Sequence, residues 1–185
     1  INVSVAELTK TQDTSVRPGS SIYTDLGGNP GEFRDALEQP TGGTFNNDGT
    51  LVFFTNKRPG HTDSITVMRV STPYDLRTVS TIIEGGDPII DIAGNIIAND
   101  QKVTDIDFNN DGTKLFLTGQ SGKVFPFDLP IPYSFAFGSG MSFTTGSEVS
   151  LGGAPAGELE FNNDGTKMYF IDGGENPTID EYNLT

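Results

Sequence analysis

The acidic and amide side chains around a six-residue motif, FNNDGT, are the first candidates for chemistry in this sequence. The motif occurs three times, at Phe45–Thr50, Phe108–Thr113 and Phe161–Thr166. Around the second copy, Asp107, Asn109 and Asp111 have the spacing of the first oxygen ligands of an EF-type calcium loop. Such a loop needs a bidentate acidic ligand at its twelfth position, where this sequence has Thr118. We therefore expect no bound metal and keep these three residues as the calcium alternative.

Two pairs of carboxylates, Asp105/Asp107 and Glu158/Glu160, alternate with apolar residues directly before the second and third copies. Alternation of this kind places both carboxylates of a pair on one face of a strand. A glycoside-hydrolysing pair would need carboxyl groups from two segments facing each other across a cleft at ~5–9 Å. The pattern instead predicts that these side chains point outward from a half-solvated strand.

Other catalytic residue types are scarce. His61 is the only histidine and the chain has no cysteine, which excludes thiolate chemistry and a zinc site built on His or Cys. No GxSxG elbow supports a Ser-His-Asp triad, so His61 is predicted to be an exposed loop residue. Some aromatic residues have the right type to stack on sugar rings, but a Pro-Tyr context favours turn packing: Tyr23, Tyr74, Tyr133 and Phe135. We therefore expect no catalytic residue and no cofactor.

The composition limits both the fold and the partners. The 185 residues carry a net charge of −14, which argues against a nucleic-acid or anionic-membrane partner. No apolar run reaches the ~20 residues of a membrane helix, so we expect no membrane insertion. The 23 Gly and 11 Pro, without sustained helical periodicity, indicate an all-β protein made of short strands and turns.

The motif is predicted to form the tip of a hairpin because Asn-Asp-Gly lies between two apolar runs. Gly can adopt positive φ there, and Asp can hydrogen-bond its own backbone. The turn residues are Asp48, Gly49, Asp111, Gly112, Asp164 and Gly165. A third strand and a proline turn follow, with a fourth strand near Ser80–Glu84 in the first repeat and Met141–Thr145 in the second. Four antiparallel strands in about 50 residues are typical of a propeller blade.

The extended motif FNNDGTKMYF resembles the first hairpin of the blades in TolB-type and lactonase-type β-propellers. The segment TPYDL at 72–76 is similar to propeller repeats of secreted or virion-associated proteins. The resemblance covers most of the chain from Thr44 onward and implies a blade architecture. The motif itself implies no activity.

The predicted organisation is one repeat domain over residues 1–185, with repeats at 44–107, 108–160 and 161–185. The third repeat lacks a fourth strand, so we expect an N-terminal strand within residues 1–10 to complete it. This pairing would join Val3, Val5 and Leu8 to Tyr182 and Leu184, within one chain or between chains. Because three blades are few for a propeller, a β-trefoil-like fold is the alternative.

The function predicted from these observations is a non-enzymatic structural module, extracellular or on a virion surface, that self-assembles through its blades and terminal strands. The expected partners are further copies of the chain, in a homo-oligomer or filament, with a glycan or another surface protein as further options. A glycan- or protein-binding propeller is the second hypothesis. A lactonase-like hydrolase is the third.

Overall fold

The structure is a computed structural model that describes nine stretches of the chain: residues 40–56, 64–81, 89–91, 103–134, 142–143, 148–151, 157–162, 164–171 and 178–183. In these stretches the strands form three sheets, and all strand pairs are antiparallel. A short 3-10 turn at Leu76–Thr78 leads into the fourth strand. We call the three sheets blades 1, 2 and 3.

Blade 1 has four strands in consecutive order, with a fifth strand that also pairs with the third. Its strands are β1 (Pro40–Phe45), β2 (Leu51–Asn56), β3 (Ser64–Val70), β4 (Val79–Thr81) and β5 (Ile89–Asp91). The fourth strand overlaps the one predicted near Ser80–Glu84 at Ser80 and Thr81, and residues 82–84 lie outside the described residues. Such a simple up-and-down order is typical of consecutive strands joined by short connections, which can join only antiparallel neighbours.

Blade 2 repeats this order, and blade 3 has three described strands. The strands of blade 2 are β6 (Val103–Phe108), β7 (Lys114–Gly119), β8 (Lys123–Asp128), β9 (Ser142–Phe143) and β10 (Val149–Ser150). Those of blade 3 are β11 (Glu158–Phe161), β12 (Lys167–Ile171) and β13 (Ile179–Asn183). Both β9 and β10 pair with β8, on the side opposite β7.

The FNNDGT motif forms the turn between the first two strands of each blade. In blade 2, Asp111 Oδ1 accepts a hydrogen bond from the Thr113 N–H at 2.9 Å, and Asn109 Oδ1 accepts one from the Lys114 N–H at 2.8 Å. Asp48 and Asp164 make the same bond to the threonine two residues later. The glycine of each turn has a φ near +70°, which few other residues adopt without strain.

A tyrosine from the proline turn after the third strand covers this glycine in blades 1 and 2. A Cβ on Gly49 would lie 2.5 Å from the ring of Tyr74, and one on Gly112 would lie 2.3 Å from the ring of Tyr133. The tyrosine N–H groups donate to the carbonyl oxygens of the same two glycines. Tyr74 and Tyr133 are therefore packing residues of the turns, as their proline context predicted.

Apolar side chains fill the spaces between neighbouring blades. Phe53 of blade 1 packs on Phe108 of blade 2, and Phe116 of blade 2 packs on Phe161 of blade 3; both pairs have ring centroids 4.6 Å apart. The first strands also lie together, because β1 contacts β6 and β6 contacts β11. We call this line of strands, β1, β6 and β11, the axial edge.

The all-β prediction with antiparallel, blade-like repeats is confirmed, and the fold is β-propeller-like. The trefoil alternative is set aside, because each sheet is a radial meander whose first strand meets that of its neighbour. The N-terminal strand predicted within residues 1–10 lies outside the described residues. In the described part of the chain, no helix is long and apolar enough to cross a membrane.

Candidate functional site

Two carboxylates of the axial edge, Asp105 and Asp107, lie between blade 2 and blade 3. Asp105 Oδ2 accepts a hydrogen bond from the Leu159 N–H at 2.8 Å, and Asp107 Oδ2 accepts one from the Phe161 N–H at 3.2 Å. Asp105 and Asp107 are two residues apart on their strand, so they share a face and are spaced by about 6.6 Å. Alternate N–H groups along the neighbouring strand have the same spacing, so each carboxylate can meet one of them. The pair therefore satisfies two N–H groups that the first strand of blade 3 would otherwise leave without acceptors.

Each carboxylate also binds the strand that carries it. Asp107 Oδ1 accepts a hydrogen bond from the Phe108 N–H at 2.8 Å, and the Ile106 N–H bonds to Asp105. Asp107 reaches blade 1 as well, because Thr44 Oγ1 donates to its Oδ1 at 3.1 Å. Asp107 thus contacts all three blades at one point of the axial edge.

Gly42 makes the room that Asp105 occupies. A Cβ built on Gly42 would lie 2.2 Å from Asp105 Oδ1 and 2.7 Å from the Asp105 Cα. In the repeat, Gly42 stands at the position of Asp105 and Glu158, three residues before the phenylalanine of FNNDGT. The missing side chain in blade 1 is what lets the carboxylate of blade 2 fit at the axial edge.

Burial raises the pKa of both carboxyl groups. The pKa of Asp105 rises to about 6, chiefly through desolvation, while the N–H groups of Leu159 and Ile106 oppose the rise. The pKa of Asp107 also rises to about 6, for the same main reason. The nearby negative charge of Glu160 adds to the pKa rise of both groups, and Glu158 adds to that of Asp105. Both groups therefore titrate near neutral pH, where a side chain can take up and release protons.

The prediction that both pairs point outward was wrong for Asp105 and Asp107. Asp105 is only 8% exposed and Asp107 is partly buried, whereas Glu158 and Glu160 are exposed. Strand alternation groups side chains by face, but it does not say whether a neighbouring sheet covers that face. The signal that could have found the buried pair is the small residue, Gly42, at the matching position of the preceding repeat.

The calcium candidates do not converge on one point. Asp107 turns toward the neighbouring first strands, whereas Asn109 and Asp111 bond within their own turn. Among the described residues, no group of three or more His, Asp or Glu side chains is arranged to hold a metal ion.

The predicted assembly strands are described only in part. Tyr182 lies on β13 and packs on the apolar cluster between blades 2 and 3, which contains Leu159 and Phe170. Val3, Val5, Leu8 and Leu184 lie outside the described residues, as do His61, Tyr23 and Phe135.

Three lysines pair with carboxylates away from the axial edge. Lys114 binds Asp128 at 2.5 Å and Lys167 binds Glu181 at 2.5 Å, each across two neighbouring strands of a blade. Lys123 lies 3.9 Å from Glu148. These positive charges therefore lie apart from Asp105 and Asp107 and compensate other carboxylates.

Comparison with known proteins gives a fold but no family. No family model and no curated protein matches the sequence. The structure is similar to a protein named as a 6-phosphogluconolactonase from Bacteroides uniformis, with 16% identity and a TM-score of 0.52 over 80% of this chain. A second protein named as a 6-phosphogluconolactonase, from Bacteroides fragilis, has 13% identity and a TM-score of 0.48. A periplasmic gluconolactonase of Pseudomonas aeruginosa has 16% identity and a TM-score of 0.44. This chain spans 37%, 54% and 43% of the three proteins.

These comparisons confirm the resemblance to β-propellers at the level of the fold. The prediction of a non-enzymatic, self-assembling structural module is contradicted by the name of the first of these structures, which is that of an enzyme. At 16% identity the similarity itself shows the fold alone. The sequence analysis weighed Asp105 and Asp107 as a carboxylate pair but predicted that they point outward, because their burial depends on blade 3, more than 50 residues later along the chain. The predicted homo-oligomer, glycan and surface-protein partners and the extracellular or virion location stay predictions.

Proposed function

We propose that this chain contributes to a β-propeller hydrolase that opens lactones, with Asp107, next to Asp105, as the residue that takes up and returns the proton. One observation carries the proposal. The carboxyl groups of Asp105 and Asp107 lie where the first strands of the three blades meet, and both have a pKa of about 6. A general base works best when its pKa lies near the working pH. The reaction class, lactone hydrolysis, is taken from the names of similar propellers. The activity of an enzyme longer than this chain is part of the proposal.

Asp107 is the proposed base because it is the less buried of the two carboxylates. It takes a proton from a water molecule, whose oxygen forms a bond to the lactone carbonyl carbon. The ring C–O bond then breaks, and the proton on Asp107 passes to the ring oxygen, which leaves as the hydroxyl group of the open hydroxy acid. Thr44 and the Phe161 N–H hold the carboxylate in a fixed orientation throughout.

Charge favours a neutral lactone over a phosphorylated one. The negative charge of Glu160 adds to the pKa rise of both Asp105 and Asp107, and that of Glu158 adds to the pKa rise of Asp105, so the proposed site carries several negative groups. The three lysines described above pair with carboxylates elsewhere. A phosphate group would be repelled here, and we expect gluconolactone to be hydrolysed faster than 6-phosphogluconolactone.

The test compares lactone hydrolysis by the wild-type chain, D107N and D128N, against the spontaneous rate in the same buffer. The asparagine side chain of D107N still accepts the Phe161 N–H but cannot take a proton, so the enzymatic rate should fall about 10²-fold or more. D128N makes the same substitution at an exposed residue of an ion pair and should keep the wild-type rate. The wild-type rate should also fall as the pH drops through about 6.

A wild-type rate equal to that of the buffer, on both lactones, would refute the proposed function. A D107N variant that unfolds at the wild-type temperature and hydrolyses at the wild-type rate would refute the role of Asp107. The unfolding temperatures of wild type and D107N, measured in parallel, show whether a loss of hydrolysis comes from the lost carboxylate or from an unfolded protein.

A further inference from the structure

The face of blade 3 that points away from blade 2 is open in the described part of the chain, and we call it the outward face of blade 3. It carries Glu158 and Glu160 on β11, Tyr169 and Ile171 on β12, and Ile179 on β13. Ile171 and Ile179 are register partners and are 40% and 71% exposed. Two exposed isoleucines side by side on a sheet, flanked by an aromatic ring, are typical of a surface that another element covers.

The repeat shows what the same positions do in the two preceding blades. Eight residues after the phenylalanine of FNNDGT stand Phe53, Phe116 and Tyr169. Phe53 packs on the first-strand Phe108 of blade 2, and Phe116 packs on the first-strand Phe161 of blade 3. Tyr169 is the third member of this series.

In blade 2, polar residues at equivalent repeat positions also contact the next blade. Asp105 and Asp107 precede their phenylalanine by three and one residues, and both accept N–H groups from the first strand of the next blade. Glu158 and Glu160 precede Phe161 by the same intervals and are exposed. Thr118 donates to the Gly157 carbonyl of the next blade, and Ile171 occupies its position in blade 3.

We infer that the outward face of blade 3 docks a further sheet of this same repeat. The partner is a blade whose first strand presents two edge N–H groups, two residues apart, to Glu158 and Glu160. Its first-strand phenylalanine packs on Tyr169, as Phe161 does on Phe116. Ile171 and Ile179 then become buried in the new space between blades. This surface is separate from the proposed hydrolase site and does not depend on it.

A second copy of this chain is a poor occupant on two grounds. Docking blade 3 of one copy on blade 1 of another needs an open outward face on blade 1, but Val52, Met68 and Val70 there are each 2% exposed. Docking two outward faces of blade 3 on each other would offer Glu158 and Glu160 an identical face, which includes the same carboxylates, instead of the edge N–H groups of a first strand. Like charges in such contact oppose association.

The experiment supplies a further sheet of the repeat in register. Leu184 occupies the repeat position of Leu129, so a copy of residues 131–183 placed after Thr185 continues the repeat with a fourth blade. The chain has no tryptophan, and Y169W therefore gives a single reporter on the outward face. In each extended protein the second copy keeps tyrosine at its own equivalent position. We expect the tryptophan emission of Y169W to shift to shorter wavelength, and its quenching by acrylamide to decrease, in the extended protein compared with the 185-residue chain.

Two charge variants test the role of the carboxylates. In the extended protein, E158K/E160K should abolish the emission shift, because lysine has no acceptor for an N–H group. E158Q/E160Q keeps a carbonyl acceptor and should retain most of the shift. The control D128K, at an exposed position of blade 2, should leave the shift unchanged.

An extended, monomeric protein in which the tryptophan emission of Y169W is unshifted would overturn the inference. So would an emission shift that survives E158K/E160K. A shift that appears in the 185-residue chain as its concentration rises would show that a second copy covers the face, which contradicts the assigned occupant.

Discussion

At the axial edge blade 1 presents uncharged residues to blade 2, which we call the neutral contact, whereas blade 2 presents two carboxylates to blade 3, which we call the carboxylate contact. In the first contact Gly42 and Thr44 face blade 2, and Thr41 Oγ1 donates to the Val103 carbonyl at 3.0 Å. In the second contact the equivalent positions are Asp105 and Asp107, which accept N–H groups of blade 3. One repeat thus supports two kinds of contact, because its apolar positions are kept while the positions between them are free to vary.

The phenylalanine pairs are common to both contacts, whereas only blade 2 supplies carboxylates. Both contacts have a phenylalanine pair with centroids 4.6 Å apart, so packing alone can hold either one together. The carboxylates add buried charge, which costs free energy at neutral pH and raises their pKa values. A contact that is more costly than its neighbour, at the same place in the fold, is where we expect function.

The largest effect should come from breaking the apolar part of the neutral contact. Phe53 is fully buried, so F53A should lower the free energy of unfolding by about 3–5 kcal/mol. F116A removes the matching ring at the carboxylate contact, where the side chain is only partly buried, and should cost less. Urea unfolding of both variants measures the difference. Equal losses would mean that the two contacts do not differ in apolar burial.

Glycine substitutions in the turns should show a smaller, graded effect. In G112A the new Cβ meets both a φ of +71° and the ring of Tyr133, so we expect a loss of about 2–3 kcal/mol. In G165A the φ is +70°, but the nearest atom lies 3.5 Å away, and the loss should be about 1 kcal/mol. Thermal unfolding distinguishes the two; a larger loss in G165A would contradict the packing role of Tyr133.

The carboxylate contact should make stability fall as the pH rises. A raised pKa means that the folded protein binds more protons than the unfolded chain between about pH 4 and pH 6, so unfolding becomes easier as the pH rises through this window. Each group contributes about 1–3 kcal/mol to this change. D105N, which keeps a carbonyl acceptor, should flatten the profile. Unfolding followed from pH 4.5 to pH 7.5 checks this, and an unchanged slope in D105N would count against a buried Asp105.

The smallest effect should come from the single hydrogen bond that joins the two contacts. T44V removes the hydroxyl that donates to Asp107 and should cost about 0.5–1.5 kcal/mol near pH 7. The same hydrogen bond lowers the pKa of Asp107, so its loss should move the titration of that group to higher pH. NMR titration of the Asp107 carboxyl carbon in wild type and T44V measures the direction, and a downward movement would exclude the bond.

The turns and strands could be predicted from the sequence because their causes are local. Asp111 and Gly112 set the turn through their own hydrogen bond and φ, and the apolar runs beside them form the strands. The burial of Asp105 could not be predicted in this way, since it depends on Leu159, 54 residues later, and on the space left by Gly42. The proposed site is built from such distant contacts, so the same sequence that identified the blade left its chemistry unassigned.

The tyrosine that covers the turn glycine in blades 1 and 2 has a consequence for the order of folding. Tyr133 closes on a turn only 23 residues earlier along the chain, at Asn110, whereas the bond from Leu159 to Asp105 spans 54 residues. Closing the shorter loop costs less chain entropy, and local contacts form sooner. Blades 1 and 2 can therefore each assemble from their own residues first, and Asp105 and Asp107 acquire their buried environment only when blade 3 docks on blade 2.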